Sequence, residues 1–181
     1  YSNIDVIDTP RTINDGGTEI CMMPWICPDN YQDSLNEIKT TKAEICMGHF
    51  EIAGFAMYRG MESHEGLSKE TFEKFDLVFS GHYHHRSDDG HIFYLGNPYE
   101  LTWQDYNDPR GFHLFSLLDR RTTFIQNPYR LFSRLEYDDK DKEPINLDAL
   151  DLKECFVKLV VVNKTDYYKF DKFIQKLYNK G

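Results

Sequence analysis

Histidine is the residue type with the most chemistry to offer in this chain, because neutral imidazole is a borderline-soft ligand and several histidines sit where backbone geometry would converge them. The pattern "apolar strand, then Gly-His" occurs twice, as Glu44-Ile45-Cys46-Met47-Gly48-His49 and as Leu77-Val78-Phe79-Ser80-Gly81-His82, which continues into Tyr83-His84-His85. A short β-branched or aromatic run closed by glycine predicts a buried strand with a sharp exit. In open α/β sheets ligands sit at the carboxyl ends of the strands, so two adjacent strands ending this way aim their imidazoles at one crevice. Along an extended Gly-His-x-His segment, His82 and His84 share a side, and with His49 they form a candidate ligand set for Zn, Mn or Fe. A lone histidine is more often a surface or satisfied core group. His82, His84 and His85 within one short segment, with His49 heading the matching strand, set this cluster apart. His64 and His113 read as ordinary histidines.

The elements that must position the cluster follow from pattern and punctuation. Asn14-Asp15-Gly16-Gly17 predicts a hairpin turn between strands at Ile4–Ile7 and Glu19–Met22. The prolines at 24 and 28 impose an extended loop, and a helix over about 33–40, with Leu35 and Ile38 on one face, leads into the first Gly-His strand. Ser68 reads as the N-cap of a second helix, with Leu67 and Phe72 at staple spacing and Phe75 continuing the stripe. A helical crossover between two buried strands predicts a parallel pair, which puts both Gly-His ends on the same sheet edge. The segment Gly54–Gly66, carrying Arg59 and His64, would overhang that edge.

Downstream, the pattern predicts a turn at Ser87–Gly90, a strand at His91–Leu95, a turn at Gly96-Asn97-Pro98, a hairpin of Phe112–Leu118 with Thr122–Gln126, and a strand at Arg130–Tyr137. Short connections make these strands antiparallel in expectation. Asp138–Glu143 with Pro144 is a solvated charge run and the expected linker. Beyond it lie a β-branched strand, Phe156–Val162, and an amphipathic helix, Tyr167–Tyr178, with Tyr167, Phe170, Phe173, Ile174 and Leu177 on its apolar face. One strand and one helix cannot bury a core, so this tail reads as the beginning of a second domain.

A chain of 181 residues accommodates one domain, or one domain and a piece of another. No stretch approaches the ~20 apolar residues of a bilayer span, so a soluble, cytoplasmic protein with no membrane partner is expected. The formal charge of −9 excludes diffuse binding to nucleic acid, which needs a basic face. Any polyanion must be gripped locally, by metals and a few arginines, or by a basic partner. The four cysteines show no C-x-x-C pair, which is reduced, intracellular usage.

Val78-Phe79-Ser80-Gly81-His82-Tyr83-His84, preceded by Met47-Gly48-His49, resembles the last two metal motifs of the calcineurin-like metallophosphoesterases. With Met47-Gly48-His49-Phe50-Glu51, Tyr94-Leu95-Gly96-Asn97-Pro98 and Asn107-Asp108-Pro109-Arg110-Gly111-Phe112, the chain is similar to SbcD-type nuclease subunits, and among them to the recombination endonuclease subunits of T4-type bacteriophages. The resemblance implies an α/β fold: part of a metallophosphoesterase β-sandwich flanked by helices over residues 1–137, a linker over 138–146, and the start of an α+β capping domain over 147–181. It implies a dinuclear-metal nuclease acting on DNA in recombination and double-strand-break processing, in the host cytoplasm if viral. Two divalent ions, manganese first and magnesium or zinc otherwise, would be held by His49 and His82 on one side and His84 on the other, with His85 and Arg110 near the phosphate. An SMC-like ATPase of the SbcC type and a homodimer of the full-length protein are the implied assemblies. The family's Asp-x-His, Gly-Asp-x-x-Asp and Gly-Asn-His motifs do not lie upstream of His49. The ligand set is therefore incomplete, and the chain is expected to be the C-terminal part of a nuclease domain, inactive alone. Phosphatase or cyclic-nucleotide phosphodiesterase chemistry on the same fold, and a non-catalytic docking fragment, are the alternative readings.

Overall fold

The computed structural model describes residues 3–180, and their contacts divide them into two units, 3–98 with 107–127 and 99–106 with 128–180. In chain order the first unit contains β1 (Arg11–Asp15), β2 (Thr18–Met22), α1 (Tyr31–Thr40), β3 (Ile45–Gly48), β4 (Phe55–Tyr58), β5 (Met61–Ser63), β6 (Leu77–Ser80), β7 (Ser87–Asp88), β8 (Ile92–Tyr94), β9 (Gly111–Ser116) and β10 (Arg121–Gln126). Six of these strands form one sheet in the order β1-β2-β3-β6-β8-β7. The four inner strands run parallel, and β1 and β7 close the edges antiparallel. The class is mixed α/β, as expected.

The period-two alternation of β3 and β6 builds both faces of this sheet. Ile45 and Phe79 join Ile20 in a cluster that takes Phe115 and Leu117 from the β9–β10 hairpin, with the Phe79 and Phe115 rings 4.8 Å apart. Cys46 and Val78 point the other way, into a larger cluster with Ile38 of α1, Phe55 of β4 and the wholly buried Phe72.

Several expectations are corrected. The first hairpin strand is Arg11–Asp15 rather than Ile4–Ile7; the turn glycines Gly16 and Gly17 take φ of +56° and +87°, so the pairing begins at Asp15 opposite Thr18, and Ile4 and Val6 stay exposed. The helix opened by Ser68 is a single 3₁₀ turn, Lys69–Phe72, in which the Ser68 hydroxyl accepts from the Glu70 amide. The i→i+3 pattern persists to the Phe75 amide on the Phe72 carbonyl, and the next amides, those of Asp76 and Leu77, turn to the Glu44 carbonyl, so the chain enters β6 before a helix can lengthen. The β3–β6 pair is nonetheless parallel, with Gly48 opposite Ser80, because residues 49–76 return the chain through the β4–β5 hairpin and that turn. The segment Gly54–Gly66 is thus largely a hairpin. The strand β8 is parallel to β6, since residues 81–91 suffice for a crossover without a helix, whereas β9 and β10 are antiparallel as expected.

The second unit holds β11 (Phe132–Asp138), β12 (Phe156–Asn163) and α2 (Tyr167–Tyr178), packed around Leu135, Leu147 and Leu152. The charge run Asp138–Glu143 is not a boundary between units. The strand before it, β11, pairs in parallel with the strand beyond it, β12, over Phe132↔Phe156 to Tyr137↔Val161. Its start is anchored by Glu100, whose carboxylate is 1% exposed and accepts from Arg130 Nε at 2.7 Å and from the amides of Leu131 and Phe132. Helix α2 covers this pair through Phe170 and Phe173, which flank the Tyr137 ring at 5.0 and 4.9 Å. Tyr167, expected on the apolar face, stands in solvent with the Lys164 ammonium 4.8 Å from its ring. Among the described residues no helix is long and apolar enough to cross a membrane.

His113 of β9 gives the first unit a pH dependence. Its ring lies 5.1 Å from Phe124, and its basicity is lowered by burial first and by the Arg86 charge second, against an opposing pull from Asp88. The unfolded chain takes up this proton near pH ~6.5 but the folded chain only at lower pH, so stability is full above that value and falls as the pH drops through the folded-state value. A urea midpoint that decreases from about pH 7 to about pH 5, and decreases less in His113→Phe, is the expected outcome. Equal slopes in the two proteins would remove His113 as the cause.

Candidate metal centre

Because β3 and β6 are parallel neighbours in register, His49 and His82 leave the sheet at the same end. Their rings meet edge to face, with centroids 4.9 Å apart at an interplanar angle of 79°. His49 is held below the usual imidazole basicity by partial burial of its ring, and further by His82 and His84. A second charged imidazole this close would be repelled, so His49 favours its neutral ring with a free lone pair. His84 is exposed and His82 half-buried. All three histidines of the motif therefore occupy one end of the sheet.

The segment after β3 makes one parallel bridge, Ile52 with Leu67, and is otherwise held by hydroxyls. Ser80 Oγ accepts from the Phe50 amide at 2.9 Å and donates to the Phe50 carbonyl at 3.0 Å. Tyr94 donates its hydroxyl to that same carbonyl at 2.9 Å and accepts from the Ile52 amide at 2.9 Å. Both hydroxyls come from the ends of neighbouring strands, β6 and β8. Gly48 is required for a different reason from the one its position suggests. Its φ is not positive; a Cβ there would lie 2.5 Å from the Phe50 ring, which folds back over it. A Cβ on Gly81, by contrast, would meet nothing within 4 Å.

Beside the cluster, Asp108 organises the residues that follow His82. Its carboxylate pairs with His85 Nδ1 at 2.7 Å and with the Arg110 guanidinium at 2.8 Å. Arg110 also donates to the His84 carbonyl, which accepts from the Asn97 amide at 3.1 Å as well. The Arg110 side chain is 4% exposed. Arg110 is thus placed inside the fold as a clamp on the His84–His85 backbone, while His85 remains partly open. Sequence reasoning missed Asp108, Ser80 and Tyr94. Asp108 stood in the Asn107–Phe112 string and Ser80 in the strand motif, but neither spacing nor residue type marked them as supports.

The donor set fits part of a metal site. His82 Nδ1 is buried without a hydrogen-bond partner, an orphan lone pair or proton at the cluster. Among the described residues no group of three or more His, Cys, Asp and Glu side chains is disposed to hold an ion. A cleft of about 460 Å³ adjoins His49 and is walled by Trp25, Ile26, Tyr31, Glu51 and Leu67.

The chain is a mixed α/β protein with an imidazole cluster at the carboxyl end of its parallel strands. It is 36% identical over 178 residues to exonuclease subunit 1 of Enterobacteria phage T4, an alignment covering 98% of this chain and 51% of that protein. It is 24% identical over 160 residues to the SbcD component of the SbcCD nuclease of Staphylococcus epidermidis, covering 78% of this chain and 40% of that protein. No family model matches the chain. The similarity to SbcD-type nuclease subunits, and to the T4 phage subunit in particular, is borne out. The chain spans about half the length of the curated relatives it matches.

The hydroxyl bracket generates a test. Ser80→Ala leaves the buried Phe50 amide without its acceptor, a loss of about 1–3 kcal/mol. A destabilisation of that size in urea unfolding, with displaced imidazole NMR signals of His49 and His82, is expected. Unmoved histidine signals would show that Ser80 serves packing alone.

Proposed function

We propose that this chain supplies part of a dinuclear-metal-dependent DNA nuclease, an exo- or endonuclease that hydrolyses phosphodiesters in recombination and double-strand-break processing. The observation that carries the reading is the His49–His82 pair at the ends of two parallel strands, with His82 Nδ1 buried and unpartnered. The relatives named as an exonuclease subunit and a nuclease subunit support it. The fold reading is a metallophosphoesterase β-sandwich, supported by the β9–β10 hairpin on one face of the sheet and α1 on the other, with residues of the second unit beginning a capping domain.

His49 and His82 would hold one divalent ion and His84 would serve the other, manganese being the first candidate and magnesium or zinc the alternatives. Bound ions of this kind supply a hydroxide nucleophile near neutral pH and neutralise charge growing on the phosphate. The chain's own residues do the positioning. His49 keeps its lone pair because its neighbourhood disfavours the charged form. Ser80 and Tyr94 hold the backbone beyond it, and Asp108 and Arg110 hold that of His84 and His85. His85, partly open, is the residue offered to the phosphate, and Arg110 acts through the clamp.

The remaining ligands would come from outside residues 1–181, so the whole nuclease is the unit of activity. A chain with a charge of −9 holds a polyanion poorly by itself, and an SMC-like ATPase of the SbcC type is the proposed partner; the staphylococcal relative is named as one subunit of a nuclease, SbcCD, which supports a partner subunit. A homodimer of the full-length protein and a cytoplasmic setting, the host's if viral, complete the reading.

The test uses the full-length protein with manganese, offered linear duplex DNA, single-stranded DNA and a small aryl phosphoester. Cleavage of DNA that falls by roughly a hundredfold or more in His82→Ala, together with loss of bound manganese, is expected, since even outer-shell changes at metal sites cost 10–100-fold. Turnover of the small ester without cleavage of DNA would favour the phosphatase alternative and overturn the proposal.

A further inference from the structure

We infer that the cleft beside His49 is a subsite for a single unstacked nucleobase of the strand being cut; this rests on the nuclease reading above. The cleft holds about 460 Å³, within the range of small-ligand pockets, and its wall includes His49 itself, so whatever fills it is adjacent to the imidazole cluster. Trp25 and Tyr31 stand on it 63% and 46% exposed. Large aromatic rings left in solvent at the wall of a cleft are platforms for stacking, and bases stack on such rings without needing a sequence match.

The charges say which part of a nucleotide enters. No Lys or Arg lines the cleft, and its one formally charged wall residue is Glu51. A phosphate is therefore repelled and a neutral base admitted. Among the described residues the Glu51 carboxylate has no hydrogen-bond or ion-pair partner, which leaves it to accept from an exocyclic amino group, as carboxylates do from cytosine N4. An amino-bearing base is thus favoured over thymine. The floor is rigid, since Gly66 sits at φ +106° with room for no Cβ, which would lie 2.4 Å from the Glu51 carbonyl. The opposite side is braced by the Asn30 side chain, which accepts from the Cys27 amide at 2.8 Å and donates to the Trp25 carbonyl at 2.9 Å. A pocket braced in this way does not need to fold around its ligand.

The tryptophans of this 181-residue chain are Trp25 and Trp103, so in this chain Trp103→Phe leaves Trp25 as the reporter. In that background, with chelator present to prevent cleavage, the protein is titrated with a short single-stranded oligodeoxycytidylate and with the same strand made wholly abasic. The expected result is a change in Trp25 emission with the base-bearing strand and none with the abasic one. Affinity for the base-bearing strand should fall about tenfold in Tyr31→Ala, the scale of one lost stack, with Tyr31→Phe restoring most of it. Glu51→Gln should narrow the preference for cytosine over thymine. Equal binding of the two strands with silent Trp25 emission, while full-length protein still cleaves DNA, would overturn the subsite and leave the nuclease reading standing. Silent emission together with no DNA cleavage by the full-length protein would remove both.

Discussion

Everything at the histidine end of this sheet depends on satisfying a short run of backbone that has left the ladder. When β3 ends at Gly48 the chain must stay buried through Phe50 and Ile52, which are 1% and 0% exposed, yet beyond a single parallel bridge from Ile52 to Leu67 it has no ladder to exchange hydrogen bonds with, and that bridge leaves the Phe50 amide and carbonyl and the Ile52 amide unserved. A buried amide or carbonyl without a partner costs about 1–3 kcal/mol, so residues 50–52 would otherwise be driven out to water and His49 with them. Two hydroxyls resolve this. Ser80 and Tyr94 terminate the neighbouring strands β6 and β8, and each reaches across to the same Phe50 carbonyl. The last residues of three parallel strands are thereby tied into one assembly. Burial pushes the Tyr94 phenol up, so it stays a donor through the working pH range.

That arrangement explains which parts of the site could be read from residue order. The Gly-His strand ends and their shared edge were legible, because period-two alternation and strand-terminal glycines are local signals, and parallel pairing follows once both strands are buried on two faces. The crossover was misread in kind but not in consequence. An N-cap serine and an apolar staple mark a helix start equally well for a 3₁₀ turn or an α-helix, and what ends the turn here is a distant partner, the Glu44 carbonyl that takes the Asp76 and Leu77 amides. The supports were not legible. Ser80 in an apolar strand reads as an ordinary strand residue, and its role exists only because Phe50, thirty positions earlier, turns back beneath it. Asp108 likewise gains meaning only from its contacts with His85 and Arg110, and the distance in sequence of Asp108 and Arg110 from His84 and His85 hides the clamp.

The second unit teaches the same lesson about pairing. A charge run with a proline is a sound linker signal by composition, yet here it is the outer connection of a parallel pair. Parallel strands need a long return, and the stretch 139–155 provides one, placing Leu147 and Leu152 under the pair while Asp139 receives the amides of Thr165 and Asp166 ahead of α2. Charged residues in a return loop are as natural as in a linker, because both are solvated. What separates the cases is whether the strand before the loop has a better partner elsewhere, and β11 finds β12.

Acidity and the proposed chemistry are reconciled by dividing the ligand. A polyanion approaching a surface of net charge −9 gains nothing from the bulk field, so recognition has to be local and short-ranged. In the proposed reading, cations held at the histidine cluster would meet the phosphate, where opposite charge counts most. The neighbouring wall, aromatic with one carboxylate, would meet the uncharged base. On that reading the negative charge beside the imidazole cluster has a use: Glu51 would discourage the adjacent phosphates of a strand from settling in the cleft, and so favour the register in which a base fills it and the scissile phosphate lies at the imidazoles. Replacing that carboxylate by a cation would raise affinity for DNA in general while removing the element that distinguishes one register from the next.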